Sequence, residues 1–328
     1  MTLESAQTIL VTGATGQLGA NVCQLGIEHG YRVRALVRSS SDAAALAALG
    51  PEPVLADLMD PEALDAAVDG VDGILHTAAA TVGYGESPSE ETILNSNQWG
   101  AINLLAAAER AGGVRTVMVS TGAILQRDET VNENSRIRPI VPADPPYVRS
   151  KRAAFYESMS RAARGQDVSV VFAGGIFGPS PLVPRATAQQ TFNNVLLMAL
   201  RGQVEKFLPN PVSWAFAPDA ARTCLAALEH GRIGARYMAY GRVEDVCTTA
   251  DFCNEALRLA GLEHRVESVD PSADSTELGV MAYSLRQTYP EPALDGSSTA
   301  NELDLAPLTL EDGLSSTLAW FRSIGAWS

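Results

Sequence analysis

The chain has 328 residues, 46% hydrophobic and 19% charged, the balance of a globular protein with enough length for a large core. A formal net charge of −14 argues against a nucleic-acid or anionic-membrane partner, because phosphate binding needs clustered cations. No apolar run approaches the roughly 20 residues that span a bilayer, no basic leader precedes the first strand, and Cys23, Cys224, Cys247 and Cys253 are scattered, so the expectation is a cytoplasmic chain with reduced thiols, no membrane contact and no metal.

Strand and helix signals alternate along the first half. "TILVTG" reads as a buried strand, "QLGANVCQLGIEHG" as a helix ending at Gly30, and "YRVRALVR" as a second strand. A helix over "SDAAALAALG", a strand at "EPVLADL", a helix at "PEALDAAVDG" and a strand at "GILHTAA" follow. Beyond a loop come a helix over "NSNQWGAINLLAAAERAG", a strand at "RTVMVST", a long helix over "PYVRSKRAAFYESMSRAARG" and a strand at "VSVVFAGGIFG". Such alternation implies right-handed crossovers, and hence an α/β fold: a Rossmann-type doubly wound parallel sheet covered on both faces.

Past residue 178 prolines crowd in (Pro179, Pro181, Pro184, then Pro209 and Pro211) and the elements shorten. The expected organisation is the doubly wound domain over 1–178 and a smaller, irregular lobe over 179–328. A segment near 212–240, with the helix "PDAARTCLAALEHG", should return to pack on the first domain. "ADFCNEALRLAGL" and "LEDGLSSTLAWFRSIG" read as two further amphipathic helices.

"TGATGQLG" places Gly13, Gly16 and Gly19 between the first strand and the first helix. Gly13 suits a tight turn, Gly16 leaves room for a pyrophosphate against the backbone, and Gly19 lets helix and strand pack closely. The helix N-terminus then offers N–H groups and a positive dipole end to phosphate. Thr12, Thr15, Gln17 and Leu18 complete the expected cofactor contacts of this turn. At the end of the second strand an NAD site usually sets an acid for the ribose 2′-OH. This chain has none from Gly30 to Ser41 and offers Arg38, with Ser39 and Ser40 as further donors, so NADPH is the expected cofactor. Asp57 and Leu58, closing the third strand, fall where an adenine could be held, although a strand-end Asp also forms turns.

Tyr147 and Lys151 form Y-x-x-x-K, which stacks both side chains on one helix face. An ammonium beside a phenol favours the phenolate and draws it toward working pH, as a proton donor to an alkoxide requires. Of the 24 basic residues other than histidine only Lys151 and Lys206 are lysines, which adds weight to the placement. Upstream, Ser120 and Thr121 end a strand, where a hydroxyl can stabilise charge on a substrate oxygen. Thr121 is preferred, being nearer the carboxyl end of the strand. Asn97 could order a water that links Lys151 to solvent, or could equally cap its helix.

These motifs, with "HTAAAT", "STGA", "YVRSK" and "GGIFGP" in order, resemble the extended short-chain dehydrogenase/reductases, in particular their dihydroflavonol-reductase-like and 3β-hydroxysteroid-dehydrogenase-like branch. The resemblance covers residues 7 to about 180. It implies an NADP(H)-dependent carbonyl reductase or alcohol dehydrogenase with a Thr/Ser-Tyr-Lys triad. Lys151 would also hold the nicotinamide ribose, Thr77, Ala78, Ala79 and Ala80 would line the cofactor, and Gly175, Ile176 and Phe177 would sit beside the nicotinamide. "STGAILQR" lacks the tyrosine-glycine ending and acidic pair of the sugar-nucleotide enzymes, so an epimerase or dehydratase acting on a nucleotide sugar ranks second. A redox-sensing regulator that binds NADP without turnover ranks third, because Tyr147 and Lys151 are both retained.

The segment near the carbonyl site is apolar (Ala123, Ile124, Leu125, Phe177, with Val82 and Tyr84 across a loop), and no arginine is read beside the triad. The expected substrate is therefore a hydrophobic aldehyde or ketone, with Trp214 as a candidate stacker. His29, His76, His230 and His264 are dispersed, and His76 reads as a strand-end packing residue. A homodimer is the expectation for oligomeric state, without a motif to support it.

Overall fold

The computed structural model describes residues 6–81, 88–126, 130–141, 144–189, 191–207, 209, 211–268 and 295–328. The first half runs β1 (Thr8–Thr12), α1 (Gln17–Glu28), β2 (Arg32–Val37), α2 (Ser40–Leu46), β3 (Glu52–Leu55), α3 (Pro61–Val68), β4 (Gly73–His76), α4 (Glu90–Leu94), α5 (Gly100–Arg110), β5 (Arg115–Thr121), α6 (Pro146–Ala163) and β6 (Val168–Ala173). It continues with β7 (Gly175–Phe177), α7 (Val183–Ala186), α8 (Phe192–Leu200), β8 (Lys206–Phe207), β9 (Pro211–Val212), β10 (Trp214–Phe216), α9 (Ala217–His230) and β11 (Arg236–Ala239). The last elements are β12 (Cys247–Thr248), α10 (Thr249–Ala260), β13 (Glu267–Ser268), α11 (Ser297–Glu302) and α12 (Leu310–Ser323).

Seven strands form one parallel sheet in the order β11-β6-β5-β4-β1-β2-β3. This is the doubly wound α/β sheet that the alternating pattern implies. Winding reverses between β1 and β4, so a crevice opens at their carboxyl ends, where such sheets take their ligands.

Side chains alternate across the sheet. Ile9 and Val11 point to the face covered by Val22 and Cys23 of α1 and by Ala220, Ala221, Cys224 and Leu225 of α9. Leu10, Leu36 and Ile74 point to the other, under Leu64 and Val68 of α3 and Leu104 and Ala108 of α5. Burying each such aliphatic side chain is worth about 1.5–3 kcal/mol. A separate core under α8, α10 and α12 is built from Leu196, Phe252, Leu257, Leu314 and Phe321. Among the described residues no helix is long and apolar enough to cross a membrane.

Three departures from the sequence pattern bear on the site. "VSVVFAGGIFG" is not one strand: it breaks at Gly174, where a Cβ would lie 2.1 Å from the Tyr240 ring and 2.4 Å from the Ser213 carbonyl. Beyond the break, β7 leaves the main sheet and pairs with β10. The helix read from Asn95 begins earlier, at α4, and carries a π-helical turn at Asn95–Trp99 before α5. Finally, α8 and the edge strand β11 were not read from the sequence.

Candidate active site

The glycine turn is shaped by contact with the neighbouring strand end. Gly13 has φ +72°, and a Cβ there would lie 2.6 Å from the Ala78 nitrogen. A Cβ on Gly19 would lie 2.2 Å from the Gly13 carbonyl oxygen. Gly16 precedes α1 with no side chain capping the helix, so first-turn N–H groups, including those of Gln17 and Leu18, remain for an external acceptor. This side-chain-free cradle at a helix N-terminus fits a dinucleotide diphosphate.

Around the turn, side chains act mostly as fasteners. Thr12 is fully buried and its Oγ1 bonds His76 Nδ1 at 2.7 Å. Thr77 Oγ1 donates to the Thr12 carbonyl at 2.7 Å, stitching β1 to the end of β4. Thr15, Ala78, Ala79 and Ala80 are half-buried along the crevice. The Gln17 amide donates to the Gly178 carbonyl at 2.9 Å, so that side chain holds the segment after β7. In β7 itself Gly175 is buried, Ile176 half-buried, and Phe177 packs into the second core, with its ring edge-on to Phe252.

Arg38 is exposed just beyond β2, with no ion-pair partner among the described residues. Ser39 also caps α2: its Oγ accepts from Asp42 N at 3.2 Å and donates to Asp42 Oδ2 at 2.8 Å. Asp57 is exposed and accepts from Met59 N at 2.8 Å, the turn-forming role of a strand-end acid. Leu58 is buried, and its carbonyl accepts from Asn103 at 2.9 Å.

Across the crevice, β5 delivers Ser120 and Thr121 to opposite sides. Thr121 hydrogen-bonds the phenol of Tyr147, and its Oγ1 accepts from Ala123 N at 3.3 Å, capping the short turn that follows β5. Ser120 Oγ is buried without a hydrogen-bond partner. It lines a small cavity of about 10 Å³ with His76, Asn97, Lys151 and Ser158. That is the scale of one water molecule.

Lys151 is 5% exposed and donates from Nζ to the Val119 carbonyl at 2.9 Å. Burial lowers its pKa to about 8. Burial raises the pKa of the Tyr147 phenol, against a smaller downward pull from the Thr121 hydrogen bond. The expectation that the ammonium draws the phenol toward neutral pH is therefore corrected for the protein alone, in which Lys151 is turned to a backbone carbonyl. His76 ends β4 and is 2% exposed, the buried strand-end residue that the sequence implies. Burial and the charge of Lys151 lower its pKa to about 3, so the ring is neutral.

Asn97 lies inside the π-helical turn, 1% exposed, which removes the helix-cap reading. Its Oδ1 accepts from Ala80 N at 2.7 Å, and its Nδ2 donates to the Ala80 carbonyl at 2.9 Å and to Ser150 Oγ at 3.3 Å. The side chain thus ties the cofactor-facing end of β4 to α6, one residue before Lys151. π-Helical turns are frequent at functional sites.

Two expected substrate contacts are corrected. Ile124 is fully buried beneath α6, as is its neighbour Leu125, and both belong to the core. Trp214 is 3% exposed, stacked on Phe252 with ring centroids 3.6 Å apart, and its Nε1 donates to Cys247 Sγ. Ala123 is half-buried, while Val82 and Tyr84 lie outside the described residues. The reading of no arginine beside the triad is also amended. Arg152, next to Lys151, and Arg138 both bond the buried carboxylate of Asp144, three residues before Tyr147. Their pull holds the Asp144 pKa below the ordinary carboxylate value against the cost of burial.

A doubly wound sheet, a glycine cradle at its switch point and a Thr-Tyr-Lys cluster facing it define an oxidoreductase of the extended short-chain dehydrogenase/reductase type. Comparison with known proteins agrees. The sequence profile of the NAD dependent epimerase/dehydratase family matches residues 9–240, and the chain belongs to that family. It is 29% identical to sterol demethylase protein B of Methylococcus capsulatus, with 97% of this chain and 99% of that one aligned. Over 38% of its length it is 35% identical to a 3β-hydroxysteroid dehydrogenase/Δ5→4-isomerase of Mycobacterium tuberculosis, covering 34% of that protein. Its fold matches the crystal structure of a nucleoside-diphosphate-sugar epimerase from Pseudomonas aeruginosa, with TM-score 0.79, 24% identity, and 98% and 99% of the two chains covered.

Proposed function

We propose that the protein is an NADP(H)-dependent oxidoreductase that interconverts a hydrophobic aldehyde or ketone and its alcohol. One observation carries the reading: the phenol of Tyr147 lies beside Thr121 at the carboxyl end of β5, with Lys151 one helical turn on. The bound dinucleotide supplies or accepts the hydride. Tyr147 gives its proton to the substrate oxygen in reduction and recovers it in oxidation. Thr121, whose hydroxyl lies against the Tyr147 phenol and pulls its pKa downward, would turn that hydroxyl to the same substrate oxygen as charge develops there. Lys151 would hold the nicotinamide ribose with its buried ammonium. Asn97 fixes the backbone at Ala80 against α6, so the cofactor wall and the lysine keep one spacing.

NADP is favoured over NAD by Arg38 standing exposed past β2 where an acid is missing. A hydrophobic substrate is supported by two relatives whose names refer to sterols or hydroxysteroids. The test is NADPH oxidation screened against alkyl and aryl aldehydes, ketones, steroid ketones and nucleotide sugars. Turnover of the apolar carbonyls is expected. Conversion of a nucleotide sugar alone, with no net cofactor oxidation, would replace this reading with that of an epimerase or dehydratase.

A further inference from the structure

After β7 the chain runs along the N-terminal end of α1 before entering the second core, and it is pinned along the way. Gln17 donates to the Gly178 carbonyl at 2.9 Å, and Asn21 to the Pro179 carbonyl at 3.1 Å. From the other side Asn193 of α8, fully buried, accepts from Gly178 N at 2.8 Å and donates to the carbonyls of Gly178 at 2.8 Å and Ala186 at 3.0 Å. Both ends of the 178–186 segment are therefore fixed relative to the glycine turn, and Arg185 is delivered to the start of α2. There its Nη2 lies 3.7 Å from Asp42 Oδ1, while Asp42 Oδ2 accepts from Ser39 Oγ at 2.8 Å. A carboxylate thus sits between a hydroxyl and a guanidinium, four residues past the exposed Arg38.

We propose that Arg185 is a second cation of the cofactor's 2′-phosphate subsite, and that Asp42 occupies this subsite until the phosphate replaces it. The inference rests on the reading of the cofactor as NADP(H). Hydroxyl and guanidinium donors that accept a carboxylate accept a phosphate monoester with more charge and one more oxygen. The Arg185–Asp42 pair is long, and its side chains are 57% and 23% exposed. An ion pair of that kind adds little stability and exchanges readily, so its value lies in what it presents. Arg38 and Arg185 together outweigh Asp42 by one positive charge, and by two once Asp42 turns out to solvent. The backbone that carries Arg185 is anchored at both ends, so the guanidinium is presented from a fixed segment.

The experiment measures dissociation constants of NADPH, NADH, 2′,5′-ADP and 5′-AMP on the full-length protein and on Arg38→Ala, Arg185→Ala and Asp42→Asn, with thermal melts as a check on folding. Arg185→Ala should weaken NADPH and 2′,5′-ADP by roughly tenfold, as loss of one charge-assisted contact does, and shift NADH and 5′-AMP by less than about twofold. Asp42→Asn should tighten NADPH and leave NADH nearly unchanged. Equal losses for both cofactors in Arg185→Ala, or none, would reduce the segment to a structural tie and overturn the inference. A selective loss of NADH in Asp42→Asn would make Asp42 a ribose ligand instead, and overturns it as well. Wild-type preference and Arg38→Ala report separately on the cofactor reading. If both favour NADPH while Arg185→Ala is silent, only the present inference falls; a wild type that prefers NADH ends both.

Discussion

At one end of the crevice, where β1 turns into α1, the chain presents little but backbone: Gly13, Gly16 and Gly19, with the alanines after His76 opposite them. At the other end, where β5 faces α6, nearly every group that matters is a polar side chain, most of them buried: Thr121, Tyr147, Lys151, Asn97 and His76. The two ends should therefore fail in opposite ways. The first is damaged by adding atoms, which leave no room for a diphosphate or for the chain itself. The second is damaged by removing atoms, which takes away a proton or a hydrogen bond and leaves the fold in place.

The largest effect is expected from Gly19→Ala. The new methyl would lie 2.2 Å from the Gly13 carbonyl oxygen and 2.7 Å from Thr77 Oγ1. The first of these is backbone at a tight turn and has nowhere to go, so the cost should exceed the ~1–3 kcal/mol usual for overpacking. Urea unfolding and cofactor titration should show a strongly destabilised protein that no longer binds NADPH. An alanine variant of wild-type stability with normal cofactor affinity would mean that the strand and helix do not approach this closely.

Tyr147→Phe probes the other end. It deletes one oxygen, so melting temperature and cofactor affinity should hold while kcat falls by roughly 10²–10⁴. Lys151→Met should act twice, lowering kcat and raising the cofactor KM. A folded phenylalanine variant that binds NADPH and turns over at near wild-type rate would leave the mechanism without its acid.

The same contrast explains what could be read from the sequence. The cradle was legible because glycine spacing between a strand and a helix is itself the geometric requirement, and Y-x-x-x-K was legible because helical periodicity is local. The partners of His76 were not, since Thr12 and Lys151 come from β1 and α6 and meet it only across the folded sheet. Asn97 was placed at a helix start because no local signal marks a π-helical turn. Trp214 and Ile124 looked like pocket residues because an apolar side chain reads alike whether it faces a substrate or a core. The break at Gly174 depends on Tyr240, far along the chain, and no period within "VSVVFAGGIFG" encodes it.

Between the two hydroxyls of β5, Thr121→Val should cost about 2.7–4 kcal/mol of transition-state stabilisation, the loss typical of one oxyanion donor. Ser120 lines the cavity beside Lys151, away from the Thr121–Tyr147 bond, so it should not rescue the variant. Steady-state kinetics of Thr121→Val beside Ser120→Ala separate the two. A larger loss of kcat in the serine variant would exchange their roles.

The smallest effect is on stability, and it reads the buried side-chain network without turnover. His76 is neutral in the folded protein, with its pKa lowered from 6.5 to about 3 by burial and then by the charge of Lys151. Between those values the unfolded chain binds a proton that the native state refuses, so stability should rise with pH through this window. It is fully present above about 6.5 and is lost as the pH falls, with a slope from this one group of up to about 1.4 kcal/mol per pH unit. Urea unfolding between pH 7 and 5 keeps most carboxylates ionised and isolates the histidine. His76→Gln retains an acceptor for the Thr12 hydroxyl but cannot titrate, so its stability should be lower at pH 7 and its slope flatter by one proton. Lys151→Met, which removes the second cause of the shift, should flatten the slope by less. Parallel pH profiles for wild type and His76→Gln would show that His76 takes up its proton as readily in the native state as in the unfolded chain, and would overturn the buried neutral ring.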